Sequence, residues 1–253
     1  MLLAAGRGER MRPLTDHCPK PLLRVHGRPL LQWLLCALAR GGVASVVINT
    51  AWQGEQISKK FGNAFQAGAL CETSGELLIS YSAEGRDFGR ALETAGGIAR
   101  ALPLLAPIFW LAGGDVFAPD FDFGEHHVRR FGRGDALAHL WLVPNPDHHP
   151  RGDFGLAPDG LALNLAQSDR RERFTYSTIA LLRAELFVPP WCDIVPGNPD
   201  GVSAPLAPLL RRAMDAGRVS AELYRGRWVD VGTPQRLAWL NAQPLDAPGG
   251  FRQ

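Results

Sequence analysis

A loop rich in glycine and arginine follows the first apolar residues of this 253-residue chain: Ala4-Ala5-Gly6-Arg7-Gly8-Glu9-Arg10-Met11-Arg12, with Lys20 set between Pro19 and Pro21 shortly after. Residues of these types at this spacing suit a polyphosphate. Gly6 and Gly8 permit positive φ and carry no side chain, so backbone N–H groups can gather around phosphate oxygens. Arg7, Arg10 and Arg12 add planar donor forks. The rings flanking Lys20 restrict the backbone that aims its ammonium group. The chain has three lysines against twenty-four arginines, so a lysine kept here indicates that a compact point charge is wanted. From Met1 to Arg28, six Lys/Arg stand against two Asp/Glu, a local excess of +4 in a chain whose formal net charge is +2. That excess points to an anionic ligand at the loop, and the overall balance does not point to nucleic acid. A lone Gly-x-Gly would read as a solvated turn; the arginines and the Pro-Lys-Pro favour phosphate.

Two commoner phosphate motifs are excluded. A dinucleotide-binding fingerprint needs a third glycine where Met11 stands, and Pro13 obstructs the helix that should begin there. The Gly-Lys-Ser/Thr of a P-loop occurs nowhere in the chain. Polyphosphate chemistry commonly uses a metal, and two acids are suitably placed. Asp115 follows the apolar run Ile108–Ala112 and two glycines; Asp230 lies in Trp228-Val229-Asp230-Val231-Gly232-Thr233. Mg²⁺ takes oxygen ligands, often one or two carboxylates beside substrate phosphates. Taken alone, Asp115 reads equally as a turn or capping residue, and Asp230 as a partner of Arg225 or Arg227.

The elements that must position these residues alternate. Helices are expected at Pro29–Leu38, Gln53–Phe61 and Glu93–Leu102, and strands at Ser45–Asn49, Leu77–Tyr81, Pro107–Leu111 and Ala136–Val143. This order predicts a mostly parallel sheet with helices on both faces, and ligands in such sheets bind beyond the carboxyl ends of the strands. Later segments are strand-like: Phe154–Leu156, Leu161–Leu165, Phe174–Leu182, Val219–Tyr224 and Trp228–Val231, with helices only at Pro205–Ala216 and Pro234–Ala242. A smaller antiparallel extension is expected there, and Gly62–Gly75 and Pro189–Ser203 read as loop insertions.

At 46% hydrophobic and 21% charged residues the chain can bury a large core. A single domain over 1–253 is expected, with 1–143 mainly holding nucleotide and 144–253 mainly holding sugar. Cys18, Cys36, Cys71 and Cys192 are scattered and read as reduced thiols of a cytoplasmic protein. No apolar run is long enough to span a membrane or form a signal-peptide core. His126-His127 and His148-His149 lack ligand spacing, because adjacent side chains on a helix or strand diverge.

The N-terminal loop, Leu2–Thr15 with Pro19–Leu22, resembles the sugar-nucleotide pyrophosphorylases, whose signature is L-A-A-G-x-G-x-R-x-x-P-L-T followed by P-K-P-L. Further blocks at Val47–Ile57, Leu92–Ile98, Asn145–Phe154, Leu206–Ser220 and Tyr224–Thr233 resemble a uridylyltransferase subgroup that acts on N-acetylmuramic acid 1-phosphate in cell-wall recycling. The resemblance implies a Rossmann-like α/β fold of the nucleotide-diphospho-sugar transferase type. It implies transfer of a nucleotidyl group from a nucleoside triphosphate, UTP in that subgroup, to a sugar 1-phosphate, with no nucleic-acid or membrane partner. Ala4, Ala5, Gly6, Gly8, Glu9, Arg10 and Lys20 would hold the triphosphate, with Arg10 and Lys20 acting in catalysis. Glu93, Thr94, Ala95 and Gly96 would hold the base. Asn145, Gly152, Asp153 and Thr178 would face the sugar, and Asp115 and Asp230 would bind Mg²⁺. Guanylyl or thymidylyl transfer to mannose or glucose 1-phosphate, and a non-catalytic nucleotide-binding role, are the alternatives. Three positions depart from the subgroup: Ala112-Gly113-Gly114 before Asp115 instead of Asn-Gly, Ala95 for a glycine, and Thr178 for a glycine on the sugar side. The first strand begins at Met1 itself, so a start further upstream is expected.

Overall fold

The computed structural model describes residues 1–245; residues 246–253 of the expected 1–253 domain lie outside the described residues. In chain order, β1 (Leu2–Ala4) is followed by a small ribbon of β2 (Arg24–Val25) and β3 (Arg28–Pro29), then α1 (Leu30–Arg40), β4 (Ser45–Thr50) and α2 (Gly54–Phe61). Next come β5 (Ala64–Ala67), β6 (Gly75–Ala83), α3 (Glu84–Phe88), α4 (Glu93–Ala101), β7 (Ile108–Gly113), β8 (Val116–Phe117), α5 (Glu125–Arg133) and β9 (Ala138–Val143). The chain continues through β10 (Gly155–Leu156), β11 (Ala162–Leu163), β12 (Thr175–Arg183), α6 (Ala207–Asp215), β13 (Val219–Leu223), β14 (Val229–Asp230) and α7 (Pro234–Ala242).

Eight strands form one sheet in the order β13-β9-β12-β7-β1-β4-β6-β5. β7, β1, β4 and β6 run parallel, with Leu2 opposite Ile48 on one side and Ala112 on the other. β12 is antiparallel to both of its neighbours, β7 and β9, so part of the expected antiparallel material is built into the main sheet. β10–β11 and β8–β14 form separate antiparallel ribbons, whereas β13, expected to be antiparallel, runs parallel to β9 at the edge of the main sheet. Both sheet faces are covered, which explains the near-continuous apolar runs of the strands. Along β7, Trp110 and Ala112 pack on the face that carries α1 and α2, whereas Phe109 and Leu111 pack on the face that carries α4 and α6. The same alternation separates Val46 and Ile48 from Val47 in β4. A third apolar cluster of Met11, Val25, Trp33, Phe117, Val229 and Leu240 lies under the N-terminal loop and binds it to α7.

Several expectations are corrected. Gly62–Gly75 is not a plain loop insertion: it contains β5, which pairs antiparallel with β6 at the sheet edge. Its four residues are too few and too exposed to carry an alternation signal. The short helix α3 had no sequence signal either, while the helix surface expected at His126-His127 is the exposed face of α5, which buries only Phe131. The four cysteines are not all free thiols. Cys36 of α1 and Cys71 are joined in a disulfide, while Cys18 and Cys192 are free. The two bonded residues lie 35 positions apart, and only the packing of the Ala69–Cys71 turn against α1 brings them together. The predicted divergence of His126 and His127 also fails. At the first turn of α5 their rings approach to 4.0 Å between centroids, both drawn toward Asp122.

Candidate active site

The parallel strands β1, β4, β6 and β7 all end at one edge of the sheet, and the loops leaving β1 and β7 enclose a cleft of about 510 Å³ there. Ala4, Ala5, Gly6, Gly8, Glu9, Arg10 and Lys20 line it, together with Glu93, Thr94, Asp115 and Thr178. Gly8 adopts φ 68°, a left-handed turn that caps the 3₁₀ turn Glu9–Met11. Its carbonyl accepts from the Thr15 hydroxyl at 2.8 Å, and a Cβ there would press on the Thr15 and Lys20 side chains at 3.1 and 3.3 Å. Fully buried Met11 anchors the far end of this turn in the third apolar cluster. The loop is therefore fixed in shape before any ligand arrives.

Of the three loop arginines, only Arg10 lines the cleft. Arg7 stacks over Trp52 at 3.7 Å and donates to the Thr15 carbonyl at 2.9 Å, and Arg12 pairs with Asp16 at 2.8 Å. Arg7 and Arg12 brace the loop rather than offer it free donor forks, a correction that linear sequence could not supply because the partner Trp52 comes from beyond β4. Lys20 is 11% exposed at its side chain, and its Nζ donates to Asp115 at 2.6 Å.

Asp115 and Asp230 come together through the β8–β14 ribbon, in which Asp230 lies opposite Val116 and the Val231 N–H donates to the Asp115 carbonyl at 2.9 Å. Arg225 and Arg227, the partners considered for Asp230, do not take it. Arg236 from the first turn of α7 donates to it at 2.6 Å, and His148 lies 3.0 Å away. Burial pushes the Asp230 carboxyl above its ordinary range; Asp115 adds to the rise, against the pull of Arg236 and His148. Burial likewise holds His148 below its ordinary value, although Asp230 opposes this. Two neighbouring carboxylates, each compensated by a cation, form a donor set suited to a hard divalent ion.

Along the cleft wall, which Asn49 and Glu84 also line, runs a chain of hydrogen bonds that sequence reasoning did not find. The Ala4 N–H donates to Asn49 Oδ1 at 2.8 Å, Asn49 Nδ2 donates to Glu84 Oε1 at 2.7 Å, and the Leu92 N–H donates to Glu84 Oε2 at 2.8 Å. Glu84 is fully buried, which raises its carboxyl pKa against the lowering effect of these donors. Gly97 is required beside it, since a Cβ there would lie 2.5 Å from Glu84 Oε1. Glu84 follows β6 directly, and an acid at the carboxyl end of a parallel strand was the one available signal.

The predicted base-binding turn divides. Glu93 and Thr94 face the cleft, whereas Ala95 and Gly96 lie behind it with their N–H groups given to the Ala204 carbonyl at 2.8 and 3.1 Å. On the sugar side, Asn145 bridges the Arg173 carbonyl at 2.9 Å and the Thr175 hydroxyl at 2.9 Å, and Asp153 accepts from the Tyr176 N–H at 2.8 Å. Gly152 turns between them at φ 60°. These three shape the 144–154 loop against β12 and are not brought onto the cleft wall. Thr178 is. It sits at φ 62° in the β12 bulge between Tyr176 and Ala180, with its hydroxyl buried and without a hydrogen-bond partner.

A family model described as nucleotidyl transferase matches residues 1–159, the span that contains the phosphate loop, Lys20, the Glu93 turn and Asp115. The chain belongs to the nucleotidyl transferase family. A relative from Neisseria meningitidis serogroup B, named N-acetylmuramate alpha-1-phosphate uridylyltransferase, is 44% identical over 94% of this chain and 94% of its own length. A protein of the same name from Caulobacter vibrioides is 30% identical over 98% of this chain and 97% of its own. Among solved structures, a Bacillus anthracis protein named as a candidate glucose-1-phosphate thymidylyltransferase superposes with a TM-score of 0.73 at 18% identity, covering 99% of this chain and 96% of its own. The nucleotidyltransferase fold is thus shared at a level where little sequence is. No helix among the described residues is long and apolar enough to cross a membrane.

Proposed function

We propose that this sugar-1-phosphate nucleotidyltransferase transfers a uridylyl group from UTP to N-acetylmuramic acid α-1-phosphate in the recycling of cell-wall sugar. One observation carries the reading: a single cleft joins the preshaped Gly6–Arg10 loop, Lys20, the Glu93–Thr94 turn, Asp115 and Thr178 at the carboxyl ends of the parallel strands. The 44% identity to the Neisseria meningitidis relative supports the substrate pair.

A sugar phosphate has a second pKa of about 6, so its oxygen is already a nucleophile at neutral pH. A bond forms from that oxygen to the α-phosphorus, the bond from phosphorus to the bridging oxygen breaks, and pyrophosphate leaves with the electron pair. No general base is needed, and the cleft presents no nucleophile–base pair. Catalysis is then positioning and neutralisation of charge. The N–H groups of the Gly6–Gly8 turn orient the triphosphate. Arg10 and Lys20 offset the charge that grows on the leaving pyrophosphate. Asp115 and Asp230 would hold Mg²⁺, which when bound would neutralise phosphate oxygens and favour the leaving group. Thr178 lines the cleft, and a turn about its side-chain bond would present the hydroxyl to the sugar.

The test is pyrophosphate release from a panel of sugar 1-phosphates combined with UTP, GTP and dTTP. Turnover fastest with UTP and N-acetylmuramic acid 1-phosphate is expected. Silence of that pair while another turns over would overturn the reading.

A further inference from the structure

Beyond Arg10 the cleft opens into a second hollow of about 390 Å³, lined by Arg10, Asp147, His148, Thr233, Arg236 and Trp239. Arg10 borders both spaces, and Gly232 of the first cleft precedes Thr233 of the second. Arg236 dominates this hollow. Its side chain is only 13% exposed, one nitrogen is engaged by Asp230 at 2.6 Å and touches His148, and its Nε is buried with no hydrogen-bond partner. The Thr233 hydroxyl accepts from the Arg236 backbone N–H at 3.2 Å, which fixes the start of α7 and the root of the guanidinium. That Nε lies in the interior, out of reach of a ligand; among the described residues no acceptor takes Nη2, which leaves it as the donor for the hollow.

The geometry points to a carboxylate subsite in this hollow, with Arg236 as the residue that determines acceptance of an acidic substituent on the sugar. This rests on the reaction proposed above. N-acetylmuramic acid differs from N-acetylglucosamine by a lactyl ether that ends in a carboxylate, so the difference between the two sugars is one anion. A guanidinium presents paired donors that match a carboxylate's two oxygens. Arg10 supplies a second cation from the opposite wall. Asp147 opposes it, but is exposed at the rim, and Asp230 is already compensated by Arg236. Trp239 closes the hollow with a flat apolar wall suited to the lactyl methyl. The terminal phosphates of the nucleotide are the other anion in reach, and the assay separates the two.

KM and kcat are measured with UTP for N-acetylmuramic acid 1-phosphate and for N-acetylglucosamine 1-phosphate, in the wild type and in Arg236→Lys, which keeps the charge beside Asp230 but loses the fork. The expected result is a rise in KM of about 10-fold for the acidic sugar only, the equivalent of one charge-assisted hydrogen bond. Equal losses on both sugars would show that Arg236 serves Asp230 alone and overturn the subsite. A raised KM for UTP with the sugars unchanged would assign the hollow to phosphate and overturn it too. Inhibition of the wild type by free N-acetylmuramic acid and by free N-acetylglucosamine gives a second reading that needs no variant. About 10-fold tighter binding of the acid is expected, and equal inhibition refutes the subsite. If the wild type is silent with both sugars and active with another pair, it is the proposed reaction that fails.

Discussion

Thr178 stands in a conformation that does not suit it. A β-branched residue at φ 62° carries strain of about 1–3 kcal/mol, and a bulge of this kind is ordinarily made with glycine. Its hydroxyl is buried without a partner, a further penalty of about 1–3 kcal/mol. Thr178→Val separates these two effects, since it preserves branching, backbone and volume and removes only the hydroxyl. The free protein should gain about 1 kcal/mol, a rise in Tm of about 2–4 °C for a chain of this size. Activity should move the other way. Loss of one neutral hydrogen bond to the sugar, about 1 kcal/mol, corresponds to a KM for the sugar 1-phosphate about 5-fold higher, with the KM for UTP unchanged. Thr178→Gly sets a control. Relief of strain, about 1–3 kcal/mol, and removal of the unpaired hydroxyl, about 1 kcal/mol, outweigh about 0.5–1 kcal/mol of added freedom in the unfolded chain and about 1 kcal/mol of lost methyl burial, so its Tm should rise about as much as that of Thr178→Val. The readouts are thermal melting without ligand and steady-state pyrophosphate release. A Thr178→Val protein that melts at or below the wild-type temperature refutes the unsatisfied hydroxyl, and an unchanged sugar KM refutes its contact with substrate.

Asp115→Asn should lower kcat by about 100-fold or more while the fold persists, because the charge that holds the cation is lost; undiminished pyrophosphate release would remove Asp115 from the site. Glu84 has its carboxyl pKa raised from an ordinary value of 4.5 by burial, so above that pH the folded state holds the proton longer than the unfolded one. Stability should therefore fall as pH rises from 4.5 through the folded value, and melts of Glu84→Gln against pH should lack this slope. Glu222 is opposite in sign. His139 at 3.6 Å and Arg130, which donates to it at 2.7 Å, hold it down at about 2, so its contribution is complete above its ordinary range and disappears as pH falls toward 2, a loss that Glu222→Gln should not show. Gly97→Ala, by pressing on Glu84, should cost about 1–3 kcal/mol in denaturant unfolding; Glu84→Ala in the same chain should recover part of that, and simple additivity would refute the contact.

The parallel half of the fold was legible because its strands are buried on both faces and its helices begin and end at proline and glycine. Pro234–Ala242 lies where the sequence places it, and Ser45–Asn49 is extended only by Thr50. The edge strand β5 was not legible, since its four residues bury too little to leave a period in the sequence. That Gly8, Arg10 and Lys20 would gather at one cleft was legible from their residue types and spacing, whereas Asp115, which alone reads equally as a turn residue, was assigned there by the resemblance. What Arg7, Arg12, Ala95 and Gly96 do could not be read. Their donors are taken by Trp52 and Thr15, by Asp16 and by Ala204, and such assignments exist only after the chain has folded. Asn49, Glu84 and Arg236 were missed for the converse reason: as isolated polar residues they resemble ordinary ones, and only burial against partners distant in sequence gives them meaning.

The line from Ala4 through Asn49 and Glu84 to Leu92 ties the end of the first strand to the start of the turn at Glu93. One carboxylate thus sets the spacing between the two ends of the nucleotide's seat. A turn grafted from a relative with a different base would arrive mismatched unless residues 49 and 84 travelled with it. In the proposed reaction phosphate grip and base choice would therefore be set together, and libraries that randomise the turn alone should yield mostly weakened proteins, with few redirected ones.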